Sequence, residues 1–120
     1  RKRVEELVFG ESTGQFQGVL LNYYRDGNDS IGFHSDSEET ILSDSPIAAL
    51  SFGAQRRFIL SYTGKNLRRP KNVHLDLESG SCLIMGGTSQ RFWQHSVPKQ
   101  PRIKEGRISL TFRQYHLASP

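Results

Sequence analysis

The stretch Arg107-Ile108-Ser109-Leu110-Thr111-Phe112-Arg113 alternates polar and apolar residues without a break. Successive side chains of an extended chain point to opposite faces, so this run reads as a β-strand. Ile108, Leu110 and Phe112 are its expected buried face. Arg107, Ser109, Thr111 and Arg113 share the other face, and two guanidiniums with two hydroxyls suit the gripping of a carboxylate by charge-assisted hydrogen bonds. The competing reading is an exposed sheet edge with solvated arginines. Six residues of ideal strand set Arg107 and Arg113 about 20 Å apart, so one small diacid meets both only if their side chains lean together.

Period two recurs elsewhere. In Val73-His74-Leu75-Asp76-Leu77 three aliphatic side chains fall on one face. Ile47-Ala48-Ala49-Leu50 is apolar throughout, as expected of a strand covered on both sides. Strands are expected at Gln17 to Tyr24, Ile47 to Ser51, Arg57 to Tyr62, Val73 to Leu77, Ser81 to Met85 and Arg107 to Tyr115. Arg25 to Asn28, Gly64 to Lys71, Glu78 to Gly80 and Lys99 to Gly106 carry the turn residues between them. The first ten residues receive no assignment. A mainly β chain with strands near ten-residue spacing predicts a sandwich, barrel or jelly roll.

The 120 residues suffice for one domain, 1–120, with its own core. Cys82, the single cysteine, excludes an internal disulfide and a multi-thiolate zinc site, and points to a reducing, intracellular compartment. No apolar run approaches the roughly 18 residues that would suggest a membrane span, so a soluble protein, expected as a monomer, is read here. Met85 is the sole methionine, so the expectation is a domain cut from a longer chain. A net charge of +4 favours polyanionic partners, nucleic acid first.

His34-Ser35-Asp36 places an imidazole and a carboxylate two residues apart, on one side of an extended segment and about 6.6 Å apart at the backbone. They could converge on one metal; a solvated loop pair is the plainer alternative. His95 would complete two histidines and a carboxylate, the set used by non-haem iron(II) oxygenases that keep other positions open. Its alternative is a histidine packed beside Trp93. Phe33 and Trp93 flank the candidate ligands and read as core residues, with base stacking as the alternative. His74 and His116 have no expected chemical role.

Together, Leu21-Asn22-Tyr23-Tyr24-Arg25-Asp26-Gly27, Asp29-Ser30-Ile31-Gly32-Phe33-His34-Ser35-Asp36, Leu50-Ser51-Phe52-Gly53-Ala54, Trp93-Gln94-His95-Ser96-Val97-Pro98-Lys99 and the Arg107 to Arg113 run resemble the catalytic core of the AlkB family. They stand in the family's order over roughly residues 15–116, and most resemble the branch of the DNA-repair AlkB homologues. The resemblance implies a double-stranded β-helix, or jelly roll. It also implies a dioxygenase using iron(II), 2-oxoglutarate and O2 to demethylate N-alkylated bases such as 1-methyladenine and 3-methylcytosine in DNA or RNA, releasing succinate, CO2 and formaldehyde.

Carried onto this chain, the resemblance makes His34, Asp36 and His95 iron ligands. It assigns 2-oxoglutarate to Asn22, Tyr24, Arg107, Thr111 and Arg113, with Arg107 and Tyr24 on the carboxylate far from the metal. Ser37 and Glu38 stand where close relatives carry an acidic, base-contacting pair, and Ser109 stands where many have asparagine. Base contact is therefore expected from Ser37 and Glu38, and phosphate contact from Arg57 among Arg56, Arg57, Arg68, Arg69, Lys71, Lys99, Arg102 and Lys104. A base-covering lid N-terminal to this core is expected to be largely absent from the 120 residues. Hydroxylation of protein or RNA, and non-catalytic nucleic-acid binding by a jelly roll, are the alternative functions.

Overall fold

The computed structural model describes residues 1–9, 16–36, 45–65, 68–86 and 89–114. The elements run α1 (Lys2–Phe9), β1 (Gly18–Tyr24), β2 (Ile31–His34), β3 (Ile47–Gly53), β4 (Arg56–Tyr62), β5 (Val73–Leu77), β6 (Cys82–Met85), α2 (Ser89–Phe92), β7 (Trp93–Val97) and β8 (Arg107–Arg113). The strands form two antiparallel four-stranded sheets, in orders β1-β8-β3-β6 and β2-β7-β4-β5. Facing each other, they make a jelly-roll core. Every strand expected from the sequence is present within a residue or two. Two strands, β2 and β7, were not expected, and they carry His34 and His95. The helix α1 fills the unassigned first residues.

Strand β8 lies between β1 and β3, so it is no edge. The expected assignment of its faces is inverted. Arg107, Ser109, Thr111 and Arg113 are buried, whereas Ile108 is 38% exposed and Leu110 only half-buried. Alternation was right, but the polar face looks into the space between the sheets, where other polar side chains meet it. Phe112 alone on the apolar face is deeply buried, packed on Phe16 at 6.0 Å between ring centres and joined by Val4 of α1 and Ala48 of β3.

The main apolar core lies between the sheets: Tyr24, Ile47, Phe58, Leu77, Met85 and Val97, flanked by Ile31, Leu60, Leu75 and Leu83. In β3, Ile47, Ala48 and Ala49 are buried on both faces, as their unbroken apolar run requires. In β5 burial grades from exposed Val73 to buried Leu77, because only the Leu77 end reaches the core.

One end of the barrel is tied by a buried cation. Arg56, 1% exposed, donates from Nη1 to Asp26 O (3.0 Å), from Nη2 to Asp29 O and Pro98 O (both 2.8 Å) and from Nε to Gln100 Oε1 (3.3 Å). It joins the β1–β2 turn to the β7–β8 connection. The sequence reading offered Arg56 to phosphate; its donors are instead spent on carbonyls inside the fold. Arg25 and Asp29 clip the same turn from outside through Nε to Oδ2 (2.8 Å) and Nη2 to Oδ1 (2.9 Å).

Buried acceptors stripped of their donor cost about 1–3 kcal/mol each. Arg56→Met, which keeps the stem, should therefore lower unfolding stability by about 3 kcal/mol or more, read from the urea midpoint at unchanged slope. Arg57→Met, at an exposed neighbouring position, should stay within about 0.5 kcal/mol.

Candidate metal centre

The centre is assembled by strand pairing. β2 and β7 run antiparallel with His34 opposite His95, after a register irregularity between Ile31 and His34. Cross-strand partners bring their side chains together, and the two imidazoles lie 4.3 Å apart, edge to face. Asp36 follows two residues beyond the last pair. His34 Nε2 stands 3.8 Å from Asp36 Oδ1, and His95 Nε2 stands 3.6 Å from Asp36 Oδ2. One donor atom from each of the three lies within 4.8 Å of the others. Cis donors on an octahedral metal at about 2.1 Å sit roughly 3 Å apart, so a modest contraction closes this triangle on an ion.

The imidazoles are prepared for metal binding. His34 Nδ1 is 2.8 Å from Gly32 O, so the proton belongs on Nδ1 and the Nε2 lone pair faces the other donors. His95 stacks on Phe58 with ring centres 5.1 Å apart and 19° between planes. Burial, aided by the positive surroundings of His34 and Arg113 and opposed by Asp36, pushes its pKa down to about 4. At neutral pH it is therefore uncharged and offers a lone pair.

The facing sheet supplies the cations. Arg113 Nη2 donates to Asp36 Oδ1 at 2.8 Å, orienting the carboxylate from across the barrel. At the other end of β8, Arg107 Nη2 donates to Ser51 Oγ at 2.8 Å, while its Nε and Nη1 are buried without a hydrogen-bond partner in good geometry. Tyr24 pairs with Arg107 in the β1–β8 register, and the guanidinium carbon lies 5.3 Å from its ring centre. Burial raises the Tyr24 phenol pKa against the pull of Arg107, so the hydroxyl stays protonated.

Asn22, Tyr24, His34, Asp36, His95, Arg107, Thr111 and Arg113 all line one cavity, together with apolar side chains including Ile31, Phe58 and Val97. Thus every residue expected to hold metal or cosubstrate comes together. The separation of Arg107 and Arg113 is no obstacle: one guanidinium addresses Tyr24 and the other Asp36. The unsatisfied donors of Arg107 suit the carboxylate of a small diacid, and two imidazoles with one carboxylate suit iron(II).

The 2OG-Fe(II) oxygenase superfamily pattern matches residues 2–113. The chain belongs to that superfamily, within its AlkB family. This AlkB-family chain is 43% identical over 117 residues to the mouse DNA oxidative demethylase ALKBH2, covering 93% of the chain and 48% of the relative. It is 41% identical over 109 residues to the rat alpha-ketoglutarate-dependent dioxygenase alkB homolog 3, covering 86% and 37%. The solved OsALKBH1 structure superposes with a TM-score of 0.60 at 27% identity, over 80% of the chain and 48% of its own. The chain thus spans at most about half the length of these relatives.

Substrate-side expectations fare differently. Ser37 and Glu38 lie outside the described residues, as do Tyr115 and His116. Arg57 is not brought to the cavity. It alternates with lumen-facing Phe58, pairs in register with Asp76 and is exposed on the outer face. Phe33 is 48% exposed and no core residue, because Ile31 and not Phe33 lines the cavity. Trp93 is half-buried against Tyr62, ring centres 5.3 Å apart. Sequence reasoning missed Gln90 and Phe58, which support the site without a motif of their own, and gave no role to Ser51, which lies in one of the AlkB-like stretches.

His34→Ala and His95→Ala should each weaken Mn(II) binding more than the 10–100-fold that loss of a supporting residue produces, measured by calorimetry. Arg57→Ala should leave it unchanged.

Proposed function

We propose that the chain is the catalytic core of an iron(II)- and 2-oxoglutarate-dependent dioxygenase that demethylates N-alkylated nucleobases in DNA or RNA. The observation that carries this reading is the convergence of His34, Asp36 and His95 with Arg107 and Arg113 on one cavity. The DNA demethylase relatives favour nucleic acid over protein as the substrate.

His34, Asp36 and His95 are the proposed metal ligands. Three protein donors leave room for a chelating keto acid and dioxygen. Bound iron would supply oxidation of the N-methyl group by O2, coupled to conversion of 2-oxoglutarate to succinate and CO2, with the methyl carbon leaving as formaldehyde. Arg107 and Tyr24 would hold one carboxylate of the cosubstrate, the guanidinium by charge and the phenol as a neutral donor. Asn22, Thr111 and Arg113 would serve the nearer part of the cosubstrate, and Arg113 also aims the Asp36 carboxylate. Leu77, Met85, Phe58 and Val97 line the rest of the cavity.

Nucleic acid would approach from the Asp36 end. The β4–β5 connection, with exposed Lys65, Arg68, Arg69 and Lys71, leaves β4 beside Trp93 and so lies at the same end of the barrel as the ligands. Lys99, Arg102 and Lys104 belong to the β7–β8 connection at the opposite end. Phosphate contact is therefore assigned to the first group. Ser37 and Glu38, next along the chain after Asp36, are the proposed base contacts. A base in duplex DNA would have to be flipped to reach the metal, at a cost of roughly a few kcal/mol.

Incubation of a 1-methyladenine or 3-methylcytosine oligonucleotide with protein, iron(II), 2-oxoglutarate and air should yield formaldehyde and the restored base by mass spectrometry, with none from His34→Ala. Absence of turnover by metal-loaded wild type would overturn the reading. Arg107→Met should raise the 2-oxoglutarate concentration for half-maximal rate about 10–100-fold, since a charge-assisted hydrogen bond contributes about 1.5–3 kcal/mol. Mn(II) affinity should stay unchanged in that variant.

A further inference from the structure

Asp36 lies beyond the last residue of β2, so its backbone has left the sheet ladder at the point where its side chain must be placed most accurately. Its amide N–H donates instead to Gln90 Oε1 at 2.8 Å, a bond between residues 54 apart in sequence. Gln90 belongs to α2, the single turn that runs directly into β7 and His95. Its amide orientation is unambiguous: the Asp36 N–H can only donate, so the side-chain carbonyl must face it. The Gln90 amino group is then turned to Met85 Sδ, 3.7 Å away, and Met85 is a buried residue of β6 on the facing sheet.

One side chain thus ties together the segment bearing the carboxylate ligand, the segment leading to a histidine ligand, and the opposite wall of the barrel. Arg113 fixes the Asp36 carboxylate at Oδ1, but a carboxylate held only at its tip can still swing with its backbone. The Gln90 bond removes that freedom. We propose that Gln90 is a positioning residue for the metal centre: by holding the Asp36 backbone against α2 it sets the separation of Asp36 from His95, and with it the affinity for the metal and the geometry of its coordination. This inference rests on the ligand assignment proposed above, which the same experiment tests separately.

The variants are Gln90→Leu, which keeps the bulk and removes the acceptor, and Gln90→Glu, which keeps an acceptor for the Asp36 N–H and loses the donor to Met85. Gln90→Met, unbranched and of the same reach, replaces the leucine variant should that fail to fold. Co(II) is titrated into metal-free protein without air, following both its visible absorption and its dissociation constant. Hydrogen exchange at the Asp36 amide is measured on the metal-free protein. Gln90→Leu is expected to weaken Co(II) binding about 10–100-fold, the usual effect of losing a group that orients a ligand, to change the Co(II) spectrum and to speed exchange at Asp36. Gln90→Glu should restore the wild-type spectrum and bind at least as tightly as wild type, a rescue that a merely space-filling residue would not require. Unchanged affinity and spectrum in Gln90→Leu, with metal binding lost in His34→Ala, would overturn the role of Gln90 alone. Retained binding in His34→Ala would overturn the ligand assignment.

Discussion

Two guanidiniums buried on one face of a central strand constrain the rest of this protein. Arg107 and Arg113 are 2% and 4% exposed, and a charge removed from water is costly unless paired or hydrogen-bonded. Arg113 meets this demand with Asp36, across the barrel. Arg107 meets it only in part, through Ser51, and keeps two donors in the cavity. One cation is thereby paired with a carboxylate of the chain, and the other keeps donors on the cavity wall. The hydroxyls of Ser109 and Thr111 continue the polar strip between the two cations along the cavity wall.

The second sheet answers this strip with the imidazoles of His34 and His95. Antiparallel pairing sets His34 against His95, and Phe58 on β4 backs His95 with a stacked ring. The same burial that lowers the His95 pKa also keeps the imidazole uncharged at neutral pH. Packing and chemistry are therefore coupled, since a better-hydrated His95 would compete for protons more strongly. At the other end of the barrel, Arg56 satisfies carbonyls from two connections.

Much of the fold was legible because strand periodicity is local. Six strands were read within a residue or two, since each carries β-branched or aromatic residues bounded by turn formers. β2 and β7 escaped because Ile31-Gly32-Phe33-His34 and Trp93-Gln94-His95-Ser96-Val97 are short and mix glycine or polar residues into the strand. Their strand state comes from pairing with each other and with β4, a long-range condition. The face of β8 was read the wrong way round for a related reason. Apolar residues usually turn inward, but a cavity between the sheets lined by other polar side chains reverses that preference here, and alternation alone carries no sign. Arg56 and Arg57 are adjacent and identical in type, yet one is a buried staple and the other is solvated, because alternation sends them to opposite faces.

By itself the sequence determined the mainly β class, most strand positions and, through ordered motifs, the AlkB resemblance with its candidate metal and cosubstrate residues. These are properties of local alternation and of residue types at fixed spacing, which need no knowledge of what lies opposite. Tertiary structure alone decided which face of β8 is interior, that Ser51 is a hydrogen-bond partner of Arg107, which arginines are structural, and that Gln90 holds Asp36. Each of these depends on partners 27 or more residues away. Such a pairing is specified by the register of two sheets and by the closure of the barrel, and no window of sequence contains both halves of it.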